Sequence, residues 1–300
     1  MKLQQLRYLI AVAEEGSMLR AARRVGIAQP AMAQQLTALE NSLGARLLRR
    51  SPRGTHLTRS GLIMLEHARA IIEQVSAARQ DVLDEHGTIA GEVSLTIASA
   101  ISEAVVPGLI KRIRTEFPSV VLRIQSADSG TVETALQNAR VDMGVLPHHD
   151  KLTGVNSKPF REEPLCLVSV PAEGCRHGAT DSAIAFRDAI DGPLVLVEKG
   201  NPLRGALELL AHNIGATLDV QIETNSLLMI RSYVESGAVR SILPHCAVAE
   251  KVQLGALTSQ RIADPSITQT YLVAWPKTRP LSRAGEAVVK TLLQSALLSA

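Results

Sequence analysis

The chain has 300 residues, a hydrophobic content of 46% and a formal net charge of +3 at pH 7. This ordinary composition excludes disordered and fibrous proteins, and the length suits about two domains. No apolar run approaches the ~18 residues needed to cross a bilayer, and no signal-peptide cleavage site follows the start. We therefore expect a cytoplasmic protein. Three cysteines without a CxxC motif argue against a disulfide framework.

The stretch from Ser17 to Leu43 predicts two short helices separated by a tight turn at Gly26. Ser17 is a good N-cap for the first helix, because its hydroxyl can accept from the free amides of the first turn. Pro30 lies just inside the second helix, where its missing N–H costs nothing. The second helix is predicted to carry one apolar stripe, composed of Met32, Leu36, Leu39 and Leu43.

The opposite face of the second helix is rich in amides. At 100° per residue it carries Gln34 and Thr37, with Gln29 at its N-terminal tip. An apolar back and a polar front after a tight turn are typical of a helix-turn-helix that reads a DNA major groove. A surface helical hairpin without this role is the alternative.

The charge is distributed unevenly along the chain. Residues 1–59 hold ten Lys and Arg residues against three acidic ones, whereas the remainder holds 22 and 26. A basic N-terminal segment followed by a mildly acidic remainder indicates a polyanionic partner for the N-terminal segment alone. Aromatic residues make up only 2% of the chain, and single-strand binders stack bases on aromatic rings, so duplex DNA is the better candidate.

A Ser-Pro-Arg-Gly turn after the second helix predicts a short hairpin, or wing. Guanidinium groups on and beside such a wing would contact phosphates and position the protein without reading sequence. The arginines concerned are Arg49, Arg50, Arg53 and Arg59.

A long helix is predicted from Arg59 to about Glu85, with Thr58 as its N-cap. Its length is roughly 40 Å, which is too long for burial in so small a domain. The apolar spacing approximates a coiled-coil seam, so we expect a dimer contact there. The seam residues are Leu65, Ala68, Ile72, Val75 and Val82.

From residue 91 onward strands alternate with helices, which predicts parallel sheets with crossover helices. Two open lobes with a chain crossing between them would leave a cleft at the carboxyl ends of the strands. Strands are predicted at 93–98, 120–126, 143–146, 164–170, 193–197, 219–223, 241–243 and 269–275.

Polar residues at strand-to-helix turns are candidates for binding a small effector in this cleft, because free helix amides can hold a carboxylate. Each of them could equally be a plain helix cap. No arginine stands in these turns, so a small neutral or singly charged ligand fits better than a dianion. The candidates are Ser99, Ser102, Ser129, Gly130, Thr131, Asn201, Thr224 and Asn225.

With these residues in place, the chain resembles the LysR-type transcriptional regulators over its whole length. The specific part is LRYLIAVAEEGSMLRAARRVGIAQPAMAQQLTALENSLGARLLRR followed by LTRSG, and EFPSVVLRI, LQNARVDMGVL and ESGAVRSILP match in pattern. The resemblance implies an N-terminal all-α winged helix-turn-helix (1–58), a linker helix and hinge (59–90) and a two-lobed α/β domain like the periplasmic binding proteins (91–300). Lobe I would comprise 91–161 and 268–300, and lobe II 162–267.

The resemblance also implies particular partners. We expect a homotetramer, as a dimer of dimers, on an interrupted inverted repeat of promoter DNA, with RNA polymerase as a candidate partner. Pro30 joins Gln29, Gln34 and Thr37 in the expected DNA-binding set. Many family members carry Ser-Arg where this chain has Ala33 and Gln34, and Gln pairs best with adenine. The segments IAQPAMAQQ and RGTHLTRSG are similar to the nitrogen-assimilation control subgroup.

No catalytic motif supports an enzyme, since GxSxG, HExxH, P-loop and GxGxxG patterns are absent from the sequence. We therefore expect no catalytic residues, no cofactor and no metal.

Cys166 lies in an apolar strand and is expected to pack in a hydrophobic core. Cys175 lies in a polar loop and is the thiol to test for reactivity. Two alternatives stay open: a regulator without an effector, controlled by its abundance, and a metabolite-binding or catalytic α/β protein that associates with DNA only nonspecifically.

Overall fold

The computed structural model describes residues 1–51, 54–84, 89–150, 152–171 and 179–297. The chain divides into two compact units, Met1–Gly87 and Thr88–Ala300, which we call the N-terminal unit and the C-terminal unit. Within the described ranges, no helix is both long enough and apolar enough to span a bilayer.

The N-terminal unit contains the two short helices, the hairpin and the long helix that the sequence predicts. Ser17 caps α2, its Oγ accepting from the Arg20 amide at 3.4 Å, and Gly26 ends α2 at a φ of 75°. Thr58 caps α4, its Oγ1 accepting from the Gly61 amide at 3.0 Å. The elements are α1 (Leu3–Glu15), α2 (Met18–Val25), α3 (Gln29–Leu43), β1 (Leu48–Ser51), β2 (Gly54–Leu57) and α4 (Arg59–Asp84).

The apolar stripe of α3 is one residue shorter than predicted. Met32, Leu36 and Leu39 are buried, but Leu43 is 41% exposed. The reason is that α3 ends at Leu43, where Gly44 adopts a left-handed conformation with a φ of 64° and redirects the chain. Leu47, beyond that turn, is buried in the core of the unit instead.

The predicted dimer seam on α4 is only partly exposed. Leu65 and Ala68 are buried inside their own unit, because the first half of α4 packs against α1. These two side chains therefore pack mainly within their own protomer. Ile72 is half-buried and Val75 is exposed, and the side chain of Val82 lies outside the described residues.

The C-terminal unit contains a mixed sheet of eight strands and a separate pair, β8 and β9. Its strands are β3 (Gly91–Ala98), β4 (Val120–Ala127), β5 (Met143–Pro147), β6 (Val155–Ser169), β7 (Ala179–Ala185), β8 (Leu194–Leu196), β9 (Val220–Glu223), β10 (Ser241–Pro244), β11 (Thr258–Asp264) and β12 (Thr268–Pro276). Its helices are α5 (Ser99–Glu116), α6 (Ser129–Gln137), α7 (Phe186–Ala189), α8 (Pro202–Asn213), α9 (Leu227–Glu235), α10 (Ala249–Gln253) and α11 (Arg283–Leu297).

The prediction of parallel sheets holds only in part. Strands β4, β3 and β5 are parallel neighbours, as are β8 with β9 and β11 with β7. In contrast, β12 runs antiparallel to both β5 and β6, and β6 is antiparallel to β10 and β11. The difference arises because β6 and β12 are long crossing strands that carry the chain from one lobe to the other.

Strand β6 contributes side chains to two different hydrophobic cores. Phe160 packs in the core that β3, β5, α5 and α11 build, which we call lobe I. Leu165 and Leu167 pack with α7 and α8 in lobe II. The cleft between the lobes lies where β3 and β4 lead into α5 and α6, so the fold places the strand-to-helix turns at one opening.

Candidate functional site

Helix α3 presents a polar face to solvent. Gln29, Pro30, Gln34 and Thr37 are exposed, whereas the residues on the opposite face are buried. Ala28 precedes the helix with an extended conformation and makes no side-chain cap. The Ala31 and Met32 amides of the first turn donate to the Ala28 carbonyl at 3.1 and 3.2 Å, and Pro30 has no amide hydrogen.

The wing is a regular antiparallel hairpin. Arg49 pairs across it with His56, and Arg50 pairs with Thr55. Arg49 is exposed on β1 and Arg59 is exposed at the start of α4. The side chain of Arg50 and the whole of Arg53 lie outside the described residues.

A buried carboxylate, which the sequence analysis missed, fixes the start of the wing. Glu40 in α3 is 7% exposed, and its Oε1 accepts from the amides of Leu47 and Leu48 at 2.7 and 3.0 Å. Its Oε2 pairs with Arg46 at 3.1 Å. The same helix that carries Gln34 thus holds the strand that carries Arg49.

The far end of the wing rests on the turn after α1. The Thr55 amide donates to the Gly16 carbonyl at 3.0 Å. A Cβ at Gly54 would lie 2.6 Å from that same oxygen, and Gly54 has a φ of 129°. Glycine is therefore required there for the close approach of the two backbones.

Several basic residues of the N-terminal unit are already paired with carboxylates. Arg24 contacts Glu14 and Glu15 at 2.8 and 3.2 Å, and Arg20 contacts Glu15 at 3.7 Å. Hydrogen bonding and charge from Glu14 raise the pKa of Arg24. These pairs leave Arg49 and Arg59 better placed to meet phosphates than Arg20 or Arg24.

The inter-lobe cleft gathers five of the eight predicted effector residues. A narrow part, with a volume of about 50 Å³, is lined by Ser99, Ser129, Asn201 and Asn225. A wider mouth of about 930 Å³ shares the last three and adds Gly130. Asn201 also caps α8, its Oδ1 accepting from the Leu203 amide at 3.0 Å.

The other three predicted effector residues are outside the lining and are used locally. The Ser102 hydroxyl donates to the Ser99 carbonyl at 3.0 Å. The Thr131 hydroxyl donates to Asp128 at 2.6 Å, and the Thr224 hydroxyl accepts from the Ser226 amide at 3.2 Å.

The cleft contains polar groups that sequence reasoning missed. Asp128 caps α6 and lines both parts of the cleft. Burial acts to raise its pKa, but hydrogen bonds from Thr131 and backbone amides outweigh burial and hold it below the usual value. Gln269 and Tyr271 enter from β12, with the Tyr271 hydroxyl donating to Gln269 Oε1 at 3.1 Å. Strand prediction could not show that β12 pairs with β5 and β6. The acidic residue directly after β4, in contrast, was a usable signal.

The described cysteines are buried. Cys166 is 3% exposed, as its apolar strand predicted, and burial raises its pKa to about 11. Burial also raises the pKa of Cys246. Both are protonated at neutral pH and poor nucleophiles. Cys175 lies outside the described residues.

Two family comparisons together cover nearly the whole chain. The family described as "LysR substrate binding domain" matches residues 86–297. The family described as "Bacterial regulatory helix-turn-helix protein, lysR family" matches residues 3–62. The chain is 30% identical over 304 residues to the nitrogen assimilation regulatory protein nac of Escherichia coli (strain K12), a match that spans 100% of this chain and 96% of the relative.

Solved structures agree in fold. A full-length single-residue variant of OxyR from Pseudomonas aeruginosa superimposes with a TM-score of 0.70 at 23% identity, covering 99% of this chain and 95% of OxyR. CbnR complexed with its target DNA superimposes with a TM-score of 0.67 at 22% identity, covering 100% of both chains.

Proposed function

The chain belongs to the LysR family of bacterial DNA-binding transcriptional regulators, and from that premise we propose which of its residues read DNA and which bind an effector. The family consists of regulators with an effector-binding domain and not of enzymes. The similarity to nac also confirms the resemblance to the nitrogen-assimilation subgroup.

For DNA, Gln29, Gln34 and Thr37 read base edges in the major groove. The observation that supports this is their common exposure on the face of α3 opposite its buried stripe. Gln34 pairs in a bidentate manner with an adenine. Pro30 presets the helix N-terminus against the backbone, and Arg49, Arg50, Arg53 and Arg59 contact phosphates.

For the effector, the narrow part of the cleft binds a small neutral or singly charged molecule. Ser99, Ser129, Asn201 and Asn225 supply hydroxyl and amide groups, and Gly130 lies at the mouth. Asp128 places a carboxylate in the lining, which disfavours dianions further. Ser102, Thr131 and Thr224 support the turns without contacting the ligand.

The assembly is a homotetramer on an interrupted inverted repeat. Leu62 and Ile63 are 56% and 53% exposed on α4, and Val75 is 40% exposed. Apolar side chains this exposed on a long helix suit a contact with a second protomer. We place the protein in the cytoplasm, where its DNA and RNA polymerase are found. By analogy with the E. coli relative, we propose that the genes it regulates belong to nitrogen metabolism.

The effector proposal is tested by a thermal-shift screen of the full chain with amino acids, ammonium, urea and monocarboxylates. A ligand at 100 times its Kd adds about 2.7 kcal/mol, which raises the Tm of the C-terminal unit by several degrees. Asn225→Ala should abolish the shift, whereas Thr224→Ala should retain it. No shift with any compound, alongside sequence-selective footprinting, would favour the effector-free regulator. Identical, salt-steep binding to all duplexes would favour nonspecific association.

A further inference from the structure

Lobe I carries a second cavity, away from the cleft. It has a volume of about 700 Å³ and lies between the end of β12, the start of β6 and α11. Small-molecule sites commonly enclose roughly 300–1,000 Å³ with mostly apolar walls and a few polar groups. We call this cavity the lobe I groove.

The floor of the lobe I groove is apolar. Trp275, Leu281, Val289 and Leu293 line it, and each of them packs against the core of lobe I. Trp275 is the only tryptophan in the chain. An aromatic ring beside aliphatic side chains accommodates the hydrocarbon part of a ligand.

The rim of the groove is cationic. Lys158, Lys277 and Lys290 are exposed there, and among the described residues none of their ammonium groups has a carboxylate within ion-pair distance. Arg279 also lines the groove but is tied to Asp142 at 2.8 Å. Glu286 is the single acidic side chain of the described lining.

The groove and the cleft are separated along one strand. Gln269 and Tyr271 of β12 line the cleft, whereas Trp275, near the other end of β12, lines the groove. Gln269 and Trp275 are six residues apart, which corresponds to about 20 Å along a strand. The register also brings Asn156 of β6 directly opposite Trp275.

We propose that the lobe I groove binds a small amphipathic carboxylate, with its hydrocarbon part on Trp275 and Leu293 and its carboxylate among Lys158, Lys277 and Lys290. Charge complementarity supports the anion, and the apolar floor supports a chain or ring longer than acetate. This site is independent of the effector proposed for the cleft.

The test uses Trp275 as an intrinsic reporter in the full-length protein, with sodium octanoate as the probe. Octanoate should change the tryptophan emission in a saturable manner, and added salt should weaken the response because the ammonium groups are exposed. Acetate, octylammonium and octan-1-ol at equal concentrations lack either the chain or the negative charge, and should give little response.

Variants separate this site from the cleft and from general effects. The triple change K158Q/K277Q/K290Q should raise the apparent Kd for octanoate by about tenfold or more. A tenfold change corresponds to about 1.4 kcal/mol of binding free energy, and each of the three lost ion pairs contributes a fraction of it. Lys111→Gln, on an exposed part of α5, removes a single positive charge away from the groove and is the control for each single variant of the three lysines. Asn225→Ala in the cleft should leave octanoate binding unchanged.

Three results would overturn the proposal. The first is the absence of a saturable response to octanoate. The second is an equal response to octan-1-ol or an unchanged Kd in the triple variant, either of which would show that charge does not select the ligand. The third is an emission that changes only on dilution, which would show that the groove is covered by a second copy of the chain.

Discussion

Glu103 and Arg231 form a bidentate ion pair that joins lobe I to lobe II beside the cleft. The two guanidinium Nη atoms donate to the two carboxylate oxygens at 2.7 and 2.9 Å. Glu103 lies in α5, one turn after the cleft residue Ser99, and Arg231 follows the cleft residue Ile230 in α9. The pair therefore stabilises one relative placement of the lobes, and a ligand that changes this placement must work against it.

Removing the carboxylate should destabilise the C-terminal unit. The Arg231 side chain is only 11% exposed, against 46% for Glu103, and Arg231 Nε has no hydrogen-bond partner among the described residues. Glu103→Gln leaves this cation without its carboxylate in the lobe interface and should lower the free energy of unfolding by about 1–2 kcal/mol. Breaking a fully buried ion pair costs about 3–5 kcal/mol, and the loss here is smaller because Glu103 is half exposed. The Tm should fall by roughly 2–8 °C.

Two variants check that assignment. Glu116→Gln removes the same charge from the surface pair with Arg112 and should change the Tm little. Adding Arg231→Met to Glu103→Gln should recover part of the loss, because no unpaired cation then remains. Additive losses in the double variant would contradict the pairing.

The stabilisation by this pair should depend on pH in one direction. The hydrogen bonds from Arg231 hold the pKa of Glu103 below its usual value. A depressed carboxylate pKa contributes stability above the unfolded-chain value of about 4.3, and that contribution is lost as the pH falls through the folded value. The Tm difference between the unmodified protein and Glu103→Gln should be constant from about pH 8 to 5 and shrink below about pH 4. A difference that grows on acidification would contradict this.

The proposed DNA roles of Gln34 and Arg49 predict different losses. Gln34→Ala should weaken binding to the native site by about 1–3 kcal/mol and relax specificity at one base pair. Arg49→Ala should weaken binding to all duplexes alike. It should also reduce the slope of log affinity against log salt concentration by about one, because one phosphate contact is lost. Fluorescence anisotropy with native and scrambled duplexes distinguishes them. Equal losses on both duplexes for Gln34→Ala would remove it from the base-reading set.

Local signals in the sequence were sufficient for most helices and their caps. Ser17, Thr58 and Asn201 each precede a helix and accept from its first turn. These interactions span two or three residues, so neighbouring sequence determines them. The wing was likewise predicted from a local signal, its Ser-Pro-Arg-Gly stretch, but its contacts with Glu40 and with the Gly16 carbonyl were not.

Long-range partners were not accessible in the same way. Leu65 and Ala68 have seam spacing, but the packing of α1 on α4 buries them. The first half of β6, the strands β7 and β11, and the place of Tyr271 in the cleft depend on pairings between segments far apart in the chain. Hydrophobic periodicity reports which face is buried and not which element buries it.

Glu40 should control both stability and the position of the wing. Glu40→Ala leaves the amides of Leu47 and Leu48 without their acceptor, at a cost of about 1–3 kcal/mol for a buried donor. The Tm of the N-terminal unit should fall, and affinity for DNA should fall with it because β1 loses its anchor. Glu66→Ala, an exposed position on α4, is the matched control and should alter neither. An unchanged Tm and an unchanged DNA affinity of Glu40→Ala would show that the wing is held by other contacts.

Two helical glycines should respond to alanine in opposite directions. A Cβ at Gly61, in the first turn of α4, would lie 2.1 Å from the Leu47 carbonyl oxygen, whereas a Cβ at Gly108 in α5 would meet nothing within 4 Å. Gly61→Ala must displace the strand-to-helix junction and should cost about 1–3 kcal/mol or more. Gly108→Ala should stabilise the C-terminal unit by about 0.5–1 kcal/mol, because alanine loses less backbone entropy in a helix. Thermal unfolding of both variants tests this, and a tolerated Gly61→Ala would mean that Leu47 can move without disturbing its neighbours.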